Sequence, residues 1–534
     1  MGMYVNPGNI GFDEINDEDY VDKTMLISLV NARIRKKGKL ICISRPRRFG
    51  KSFAAKMLTA YYDCSCDSHS LFDDKKIAKC VSYEKNLNQY NVINLDITGF
   101  ISKAKREKRP LSDVPLNIIA AIQKELIALN PQLSADQSLE DCLTACVEME
   151  GGKQFVFIID EWDAMIREAK NDPDSQEAYL NLLRSWFKDS TFTPKVVAAA
   201  YMTGILPIKK DGSQSAISDF DEFSMIKPLE FGGYVGFTEE EVRSICEKKN
   251  ADFEMMKKWY DGYSFKNVGS VYNPNSVMKA IRNDDFDSYW TETSAAEGLL
   301  EYISKDYNGM TKTIAELIGG VDVKVSTTGF ANDLTTFRGK DDVLTLMIHL
   351  GYLAYDSVNE TVRIPNEEIK KEFSKAVKQV SHKATLDRLR ESEQLFIDTI
   401  KGNADAVAAQ IEKIHREETA PLHYNNEASL RSVIKLAYYS YRDHYVQFEE
   451  LAAGEGYADV AYIPRHDSDW PALIIELKWK KDVEGAIDQI LNKKYPDALK
   501  NFGTKILLVG ISYEKDADDK SKKHTCKIIE YTPE

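Results

Sequence analysis

The chain contains no long apolar run. Within its 534 residues, no stretch reaches the roughly 18 uninterrupted apolar residues that a transmembrane helix needs. The first residues carry no basic region followed by an apolar run, so we expect no secretion signal. The sequence therefore predicts a protein with no membrane-embedded segment and no membrane partner.

Cysteine and histidine are few and scattered. The eight cysteines include no CxxC pair, and the eight histidines are dispersed along the chain. Cys64 and Cys66 are too close together for a usual zinc knuckle. We therefore expect free thiols in a reducing cytoplasm and no structural zinc.

An excess of positive charge is also missing. The chain has 70 lysine and arginine residues against 84 aspartate and glutamate residues, a net charge of -14. Broad nonspecific adhesion to DNA requires clustered basic residues, so this balance disfavours it. One local basic groove remains compatible with the average. The apolar and charged fractions, 43% and 29%, are ordinary for a folded globular protein.

Three regions differ in pattern, although no repeat or low-complexity linker separates them. At about 150 residues per domain, the length suggests about three domains. Strand-like apolar runs alternate with helical patterns over residues 1–230, which predicts an α/β fold with a mostly parallel, buried sheet. Residues 231–380 are mainly helical, and residues 381–534 combine helices with strands. The predicted strands are 40–43, 92–95, 155–159, 196–201, 446–449, 458–463, 472–477 and 505–511, with a helix over 482–494 and a solvated loop over 516–523.

A phosphate-binding loop follows the first predicted strand. The segment reads Arg-Pro-Arg-Arg-Phe-Gly-Lys-Ser and ends in Gly50, Lys51 and Ser52. In a Walker A loop, backbone N–H groups face the phosphates, Lys51 reaches the β and γ phosphates, and Ser52 ligates Mg²⁺. Arg48 and Phe49 complete the predicted nucleotide-binding stretch. A surface loop with a serine at the helix start is the alternative, because an arginine replaces the first glycine of the usual pattern.

A second strand ends in the acids that a P-loop site requires. Asp160 and Glu161 follow the apolar run 155–159, in the form of a Walker B strand. Asp160 would hold Mg²⁺ through water, and Glu161 would orient or deprotonate the attacking water, with Asp163 supporting it. Solvated acids at a strand exit are the alternative. The two motifs together, each attached to a strand, predict an ATP site.

Further residues are candidates for sensing or neutralising the phosphates. Thr203 follows the strand over 196–201, where ATPases with a Walker B glutamate often place a polar sensor of the γ-phosphate. A simple strand-terminating threonine is equally compatible. Arg45, Arg47 and Arg48 could neutralise phosphate charge in cis, contact a neighbouring subunit, or contact nothing.

Two carboxylates and a lysine converge near the C-terminus. Residues two apart in a strand face the same side, so Glu476 and Lys478 point together, and Asp459 on the preceding strand can join them. Such a set suits a hard divalent cation, Mg²⁺ or Mn²⁺, that activates water and polarises a phosphate. Glu427 could add a ligand, and Gln489 could orient the lysine or the metal-bound water. A solvated or salt-bridged strand pair is the alternative.

The pieces together resemble a known bacterial family, the AAA-ATPase-like proteins fused to a C-terminal PD-(D/E)XK nuclease domain. The matching segments span nearly the whole chain and include Tyr20–Thr24, Arg45–Ser52, Ile159–Glu161, Thr203–Gly204, Trp259–Tyr263, Tyr272–Pro274, Asp459 and Glu476–Lys478. The loop with Arg45 is itself the family's form. One departure is Gly456-Tyr457-Ala458 before Asp459, where many members carry an arginine that could contact DNA. Another is Gly204–Pro207, a less polar continuation after Thr203 than the family leads us to expect.

The resemblance implies a P-loop NTPase domain at residues 1–230, a central helical region at 231–380 and a restriction-endonuclease-like α/β core at 381–534. It also implies that Asp459, Glu476 and Lys478 form the nuclease triad, with Glu427 and Gln489 in support. We therefore expect an ATPase coupled to a metal-dependent nuclease, with DNA favoured over RNA as substrate. The alternative is a nucleotide-controlled switch or DNA-binding scaffold whose nuclease-like domain does not cut. A homo-oligomer is compatible with the sequence, which leaves the oligomeric state open.

Overall fold

The computed structural model divides into two compact units. Unit 1 comprises Met1–Ala296 and Lys324–Glu372, and unit 2 comprises Glu297–Val323 and Phe373–Glu534. The residues that the structure describes are 2–17, 19–149, 151–208, 210–211, 214–215, 217–290, 310–331, 337–379, 383–418, 433–434, 437–438, 445–453, 456–464, 470–479, 483–499, 505–515 and 522–532. No helix in these ranges is long and apolar enough to cross a membrane.

The strands in chain order are β1 Leu40–Ser44, β2 Asn91–Asp96, β3 Phe155–Asp160, β4 Val197–Gly204, β5 Lys210–Asp211, β6 Gln214–Ser215, β7 Asp221–Phe223, β8 Phe237–Thr238, β9 Tyr263–Phe265, β10 Gly269–Tyr272, β11 Val323–Lys324, β12 Ala354–Asp356, β13 Thr361–Arg363, β14 Tyr445–Ala453, β15 Gly456–Pro464, β16 Ala472–Trp479, β17 Ile506–Lys515 and β18 Lys522–Tyr531.

The α-helices in chain order are α1 Ile10–Asp13, α2 Met25–Arg33, α3 Lys51–Tyr62, α4 His69–Phe72, α5 Tyr83–Asn86, α6 Ile97–Arg106, α7 Val114–Leu129, α8 Leu139–Glu148, α9 Ala164–Glu168, α10 Pro173–Phe187, α11 Phe192–Val196, α12 Glu239–Lys249, α13 Phe253–Tyr260, α14 Pro274–Asn283, α15 Met310–Ile318, α16 Lys340–Leu350, α17 Glu367–Gln379, α18 Lys383–Ile400, α19 Ala404–Glu418 and α20 Val483–Asn492. Short 3-10 helices occur at Lys76–Lys79, Leu111–Asp113, Leu229–Phe231 and Tyr495–Leu499.

A parallel five-stranded sheet with the order β2–β3–β4–β1–β7 is the core of unit 1. Every residue of β1 and β4 is buried, as expected for strands covered on both faces. The four predicted strands are confirmed, with ends displaced by a few residues. Because the strands are parallel, β1, β3 and β4 all end at the same edge of the sheet, and this edge carries the predicted ATP site.

The rest of unit 1 combines helices with small antiparallel sheets. Helices α12, α13 and α14 share a core with β10, built from Val242, Met256, Tyr260, Tyr272 and Val277 among others. The sheet order there is β8–β10–β9, and β12 and β13 form a hairpin. The tight turn at Gly262 has φ +119°, and a Cβ would lie 2.0 Å from the Pro365 carbonyl oxygen. Only glycine fits that turn.

Unit 2 contains a mixed five-stranded sheet with the order β14–β15–β16–β17–β18. Strands β16 and β17 are parallel, and the other neighbours are antiparallel. This sheet confirms the expected α/β core. No strand is predicted after 505–511, but β18 follows it. The first two residues of β18 fall within the predicted loop 516–523, and the rest of that loop lies outside the described residues. The sequence does not indicate β18 because lysine and glutamate residues interrupt its apolar residues, as is common in edge strands.

Candidate nucleotide and nuclease sites

The sheet order brings the predicted ATP-site residues to one edge. Strand β4 lies between β1 and β3, so the phosphate loop after β1 and the acids after β3 flank the end of β4. Thr203 pairs with Ile43 in this ladder. Its hydroxyl donates a hydrogen bond to Asp160 Oδ1. The structure therefore brings Thr203 and the Walker B acids together.

Lys51 lies at the centre of this arrangement. Its side chain is 4% exposed, and Nζ donates to the carbonyl oxygens of Arg45 at 3.1 Å and Pro46 at 3.0 Å. It also lies 3.5 Å from Glu161 Oε1. A buried ammonium bonded to its own loop carbonyls can exchange these neutral partners for a phosphate, because charge-assisted bonds are the stronger ones.

Glu161 is held between two cations. Its Oε1 faces Lys51, and its Oε2 accepts a hydrogen bond from the Arg167 guanidinium. Burial alone would raise the pKa of this carboxyl, but the charges of Lys51 and Arg167 outweigh burial and leave the pKa below its usual value. Glu161 is therefore ionised at neutral pH. Its backbone has φ +52°, a conformation that non-glycine residues adopt at a cost.

The loop opens into a cavity of about 830 Å³. Gly50, Lys51, Ser52 and Glu161 line it, together with residues of α14 and the stretch before α2. Gly50 has φ +90° and directly precedes α3, so the start of that helix lies at the cavity. Ser52 is exposed and lines the cavity as well. A pocket of this size that combines a helix start, a lysine and the Glu161 carboxylate suits a nucleoside triphosphate with Mg²⁺.

Two loop residues, Arg45 and Phe49, have contacts that the sequence did not indicate. The Arg45 side chain is fully buried and donates to the backbone oxygens of Ser44 and Phe223. Burial lowers its pKa to about 10. The Phe49 ring is also buried and packs edge-on against Tyr263 at 5.4 Å, so only its backbone N–H can serve a phosphate. These two buried side chains hold the phosphate loop against the rest of unit 1.

Arg48 lines the cavity and also reaches the segment after α14. Its Nη1 donates to the Tyr289 carbonyl oxygen at 3.0 Å. The Tyr289 N–H in turn donates to Glu368 Oε1 at 2.8 Å, and Ser276 Oγ donates to the same oxygen at 2.9 Å. Burial raises the pKa of Glu368 to about 7, and the nearby Glu372 adds to the shift. The phosphate loop is thus tied to a buried carboxyl that titrates near neutrality.

We expect Glu368→Gln to flatten the pH dependence of stability. Between the ordinary pKa of 4.5 and about 7, the native state binds more protons at Glu368 than the unfolded state, so its stability falls as pH rises. The total fall is about 3 kcal/mol, and an amide oxygen keeps both hydrogen bonds without the charge. Urea unfolding at pH 5, 6, 7 and 8 measures this, with the partly exposed Glu367→Gln as control. Equal pH slopes in wild type and Glu368→Gln would contradict the prediction.

In unit 2 the two predicted carboxylates lie side by side. Val460 of β15 pairs with Ile475 of β16, so Asp459 and Glu476 meet at the next position of the ladder. Asp459 Oδ2 accepts a hydrogen bond from the Leu477 N–H at 2.9 Å. Burial, and then the Asp459 charge, raise the pKa of Glu476. Two neighbouring carboxylates in a buried place are a destabilising pair unless a cation joins them.

Lys478 and Gln489 both contact Glu476. Lys478 Nζ donates to Glu476 Oε1 at 2.9 Å, which confirms that the two side chains share a face. Gln489 of α20 donates to the same oxygen through Nε2. Glu476 Oε2 is buried and has no hydrogen-bond partner among the residues that the structure describes. An orphaned carboxylate oxygen beside a second carboxylate fits a hard divalent cation.

Other predicted metal ligands are less completely defined. Glu427 lies outside the described residues. Within the described ranges, no group of three or more His, Cys, Asp or Glu side chains could hold a metal. Asp459 and Glu476 are therefore the described candidates at the nuclease site, and Ser52 and Asp160 those at the ATP site.

Two residues that contact the candidate sites, Arg167 and Tyr495, are not predicted from the sequence. Arg167 of α9 bonds Glu161 and, through Nε, Asp163 Oδ2 at 3.0 Å. Its spacing of four residues from Asp163 was an available indication, because such pairs meet on a helix. Tyr495 accepts a bond from Gln489 Nε2 at 3.4 Å. It had no comparable sequence indication.

Comparisons with known proteins match both regions. Residues 8–213 match a family model described as a predicted AAA-ATPase, and residues 425–523 match a model of the PD-(D/E)XK nuclease superfamily. These ranges include the phosphate loop, the Walker B acids and the carboxylate–lysine site. None of the curated proteins matches the chain.

Solved structures give distant matches. A Walker-type ATPase of Pyrococcus abyssi is 13% identical with a TM-score of 0.34, and the match covers 67% of this chain and 97% of that one. The ORC2 protein of Aeropyrum pernix, in ADPNP–ADP complexes, is 12% identical with a TM-score of 0.30, covering 68% and 97%. The chain therefore carries a region, residues 8–213, that matches a predicted AAA-ATPase, and a C-terminal region, residues 425–523, that matches the PD-(D/E)XK nuclease superfamily.

Proposed function

We propose that unit 1 binds and hydrolyses ATP and that unit 2 hydrolyses phosphodiester bonds of DNA with Mg²⁺ or Mn²⁺. The nuclease proposal rests on Glu476, whose Oε2 is buried beside Asp459 and has no hydrogen-bond partner within the described part of the chain. The ATP site is supported by Lys51, a buried cation at the wall of an open cavity. DNA is proposed over RNA on the family resemblance.

At the ATP site, each residue has a separate task. Lys51 leaves the loop carbonyls and pairs with the β and γ phosphates, and Ser52 and Asp160 hold the Mg²⁺ that accompanies the nucleotide. Glu161 takes a proton from the attacking water. The water oxygen bonds to the γ-phosphorus as the bond to the bridging oxygen breaks, and ADP leaves with that electron pair. Thr203 holds Asp160 in place through its hydroxyl.

At the nuclease site, Asp459 and Glu476 would hold the cation, and Gln489 would fix the Glu476 carboxylate. Lys478 would orient the nucleophilic water or stabilise the charge that develops on the phosphate. A bound Mg²⁺ supplies Lewis-acid polarisation of the phosphate and a lowered pKa for bound water. The attacking water would give a proton to solvent, its oxygen would bond to phosphorus as one phosphodiester P–O bond breaks, and the leaving oxygen would take a proton from solvent.

Lys478→Ala is expected to lose DNA cleavage, because the phosphate charge then lacks its nearby cation. A loss of roughly 10²–10³-fold is typical when one such group is removed. The test incubates plasmid and single-stranded DNA with Mg²⁺ or Mn²⁺, with and without ATP. Lys505→Ala, which removes an exposed ion pair with Glu530 in the same unit, is the matched control and should cleave normally.

The cleavage assay distinguishes a nuclease from a nucleotide-controlled switch or DNA-binding scaffold. Cleavage that disappears in Lys478→Ala alone supports the nuclease, and an effect of ATP supports control of cleavage by nucleotide. Absence of cleavage under every condition, with ATP still bound, would refute the nuclease. It would favour a nucleotide-controlled switch or DNA-binding scaffold instead.

A further inference from the structure

The Arg167 guanidinium joins two acids at the edge of the phosphate-loop cavity. Its Nη2 donates to Glu161 Oε2, and its Nε donates to Asp163 Oδ2 at 3.0 Å. The side chain is 14% exposed and lines the cavity. None of the tasks proposed above for the ATP site uses this residue.

Asp163 fixes the orientation of that guanidinium. It is completely buried, and its Oδ2 also accepts hydrogen bonds from the backbone N–H groups of Ile205 at 3.2 Å and Leu206 at 2.9 Å. At Gly204 a Cβ would lie 2.8 Å from Asp163 Oδ1, so the chain after β4 approaches this acid as closely as glycine allows. Arg167 is therefore held against the end of β4 and has little freedom to turn.

Lys51, the second cation beside Glu161, is shared with other partners. Lys51 lies 3.5 Å from Glu161 Oε1 and also bonds two loop carbonyls. If Lys51 turns to the phosphates of a bound nucleotide, Glu161 loses that partner while its bond to Arg167 stays in place. The position of the Glu161 carboxylate during hydrolysis then depends on Arg167.

We propose that Arg167 is a positioning residue for ATP hydrolysis, which holds the Glu161 carboxylate at the mouth of the phosphate loop where the attacking water gives up its proton. This inference rests on the proposed ATPase function and adds a residue to it. Removing the guanidinium lets the Glu161 side chain turn away.

The test compares Arg167→Met and Arg167→Lys with wild type. Displacing a reacting group by about 1 Å costs roughly 10²-fold in rate, so we expect Arg167→Met to lower kcat about 10- to 100-fold. We expect ATP binding and KM to change by less than about 3-fold. Arg167→Lys keeps the charge and should restore part of kcat.

Arg184→Met controls for the loss of an arginine ion pair, because Arg184 pairs with Glu177 on α10. Thermal unfolding of each variant confirms that it folds. An Arg167→Met variant with the kcat of wild type would overturn the inference. So would ATP binding that weakens in step with kcat, since Arg167 would then contact the nucleotide. A wild type that binds ATP without hydrolysing it would refute the ATPase proposal, and this inference with it.

Discussion

Glu476→Gln is expected to abolish metal-dependent cleavage and to make the metal-free protein more stable. A metal ligand contributes several kcal/mol of transition-state stabilisation, so its loss should lower the cleavage rate by about 10³-fold or more. Stability should increase because the glutamate is buried beside Asp459, its pKa is raised by burial, and its Oε2 has no partner among the described residues. The glutamine oxygen can still accept the bonds from Lys478 and Gln489.

The stabilisation should be about 1–2 kcal/mol, the usual cost of a buried polar atom without a partner. It should shrink as the pH falls through the raised pKa of Glu476, because the carboxyl then becomes neutral. Thermal unfolding at pH 5 and pH 8 in the presence of a chelator measures this. Added Mg²⁺ should raise the unfolding temperature of wild type and leave that of Glu476→Gln unchanged, because only the native wild type binds the ion.

Glu484→Gln is the matched control, since Glu484 forms an exposed ion pair with Lys527 near the same sheet. We expect it to cleave DNA and to unfold like wild type. A Glu476→Gln protein that still cleaves would remove this residue from the site. A variant that is less stable than wild type at pH 8 would show that the carboxylate is satisfied without a metal.

Lys51→Ala should lose ATP binding, whereas Glu161→Gln should lose only hydrolysis. Lys51 is the buried cation that can reach the β and γ phosphates, and removing it deletes charge-assisted bonds worth about 1.5–3 kcal/mol each. Two such bonds correspond to a loss of roughly 10²–10⁴-fold in affinity. Glu161→Gln keeps the shape of the side chain and removes its ability to accept a proton, so kcat should fall about 10²–10⁴-fold.

The pair of variants tests whether nucleotide controls cleavage. Equilibrium binding of a fluorescent ATP analogue and phosphate release measure the two losses separately. If the ATP-bound state regulates the nuclease, Glu161→Gln should behave in the DNA cleavage assay like wild type held with ATP. Lys51→Ala should behave like wild type without nucleotide. Identical cleavage by both variants, with and without ATP, would show that the two activities are independent.

The sequence predicted those parts of the sites that depend on short spacing. The loop that ends in Lys51 follows β1, and Glu161 follows β3, so the strand ends alone place them at one sheet edge. Glu476 and Lys478 share a face because strand side chains alternate. Gln489 required only that α20 pack on the strand before it.

The parts of the ATP site that the sequence does not predict depend on contacts between residues far apart in the chain. The bond from Arg48 to Tyr289 spans 241 positions, and no local pattern reports it. The Phe49 ring packs on Tyr263, and the Arg45 guanidinium reaches the Phe223 carbonyl oxygen. Arg45 and Phe49 lie in the phosphate loop, but their side chains are buried and pack against other parts of unit 1.

The order in which the two compact units alternate along the chain affects how the protein folds during synthesis. Unit 1 needs Lys324–Glu372, and unit 2 needs both Glu297–Val323 and everything after Glu372. A ribosome adds about 5–20 residues per second. Synthesis of the last segment of unit 1 is therefore completed several seconds after Ala296 is added. By the time that segment leaves the exit tunnel, residues 297–323 of unit 2 have already left it. Release of the first 296 residues alone would leave a fragment that lacks part of its own core.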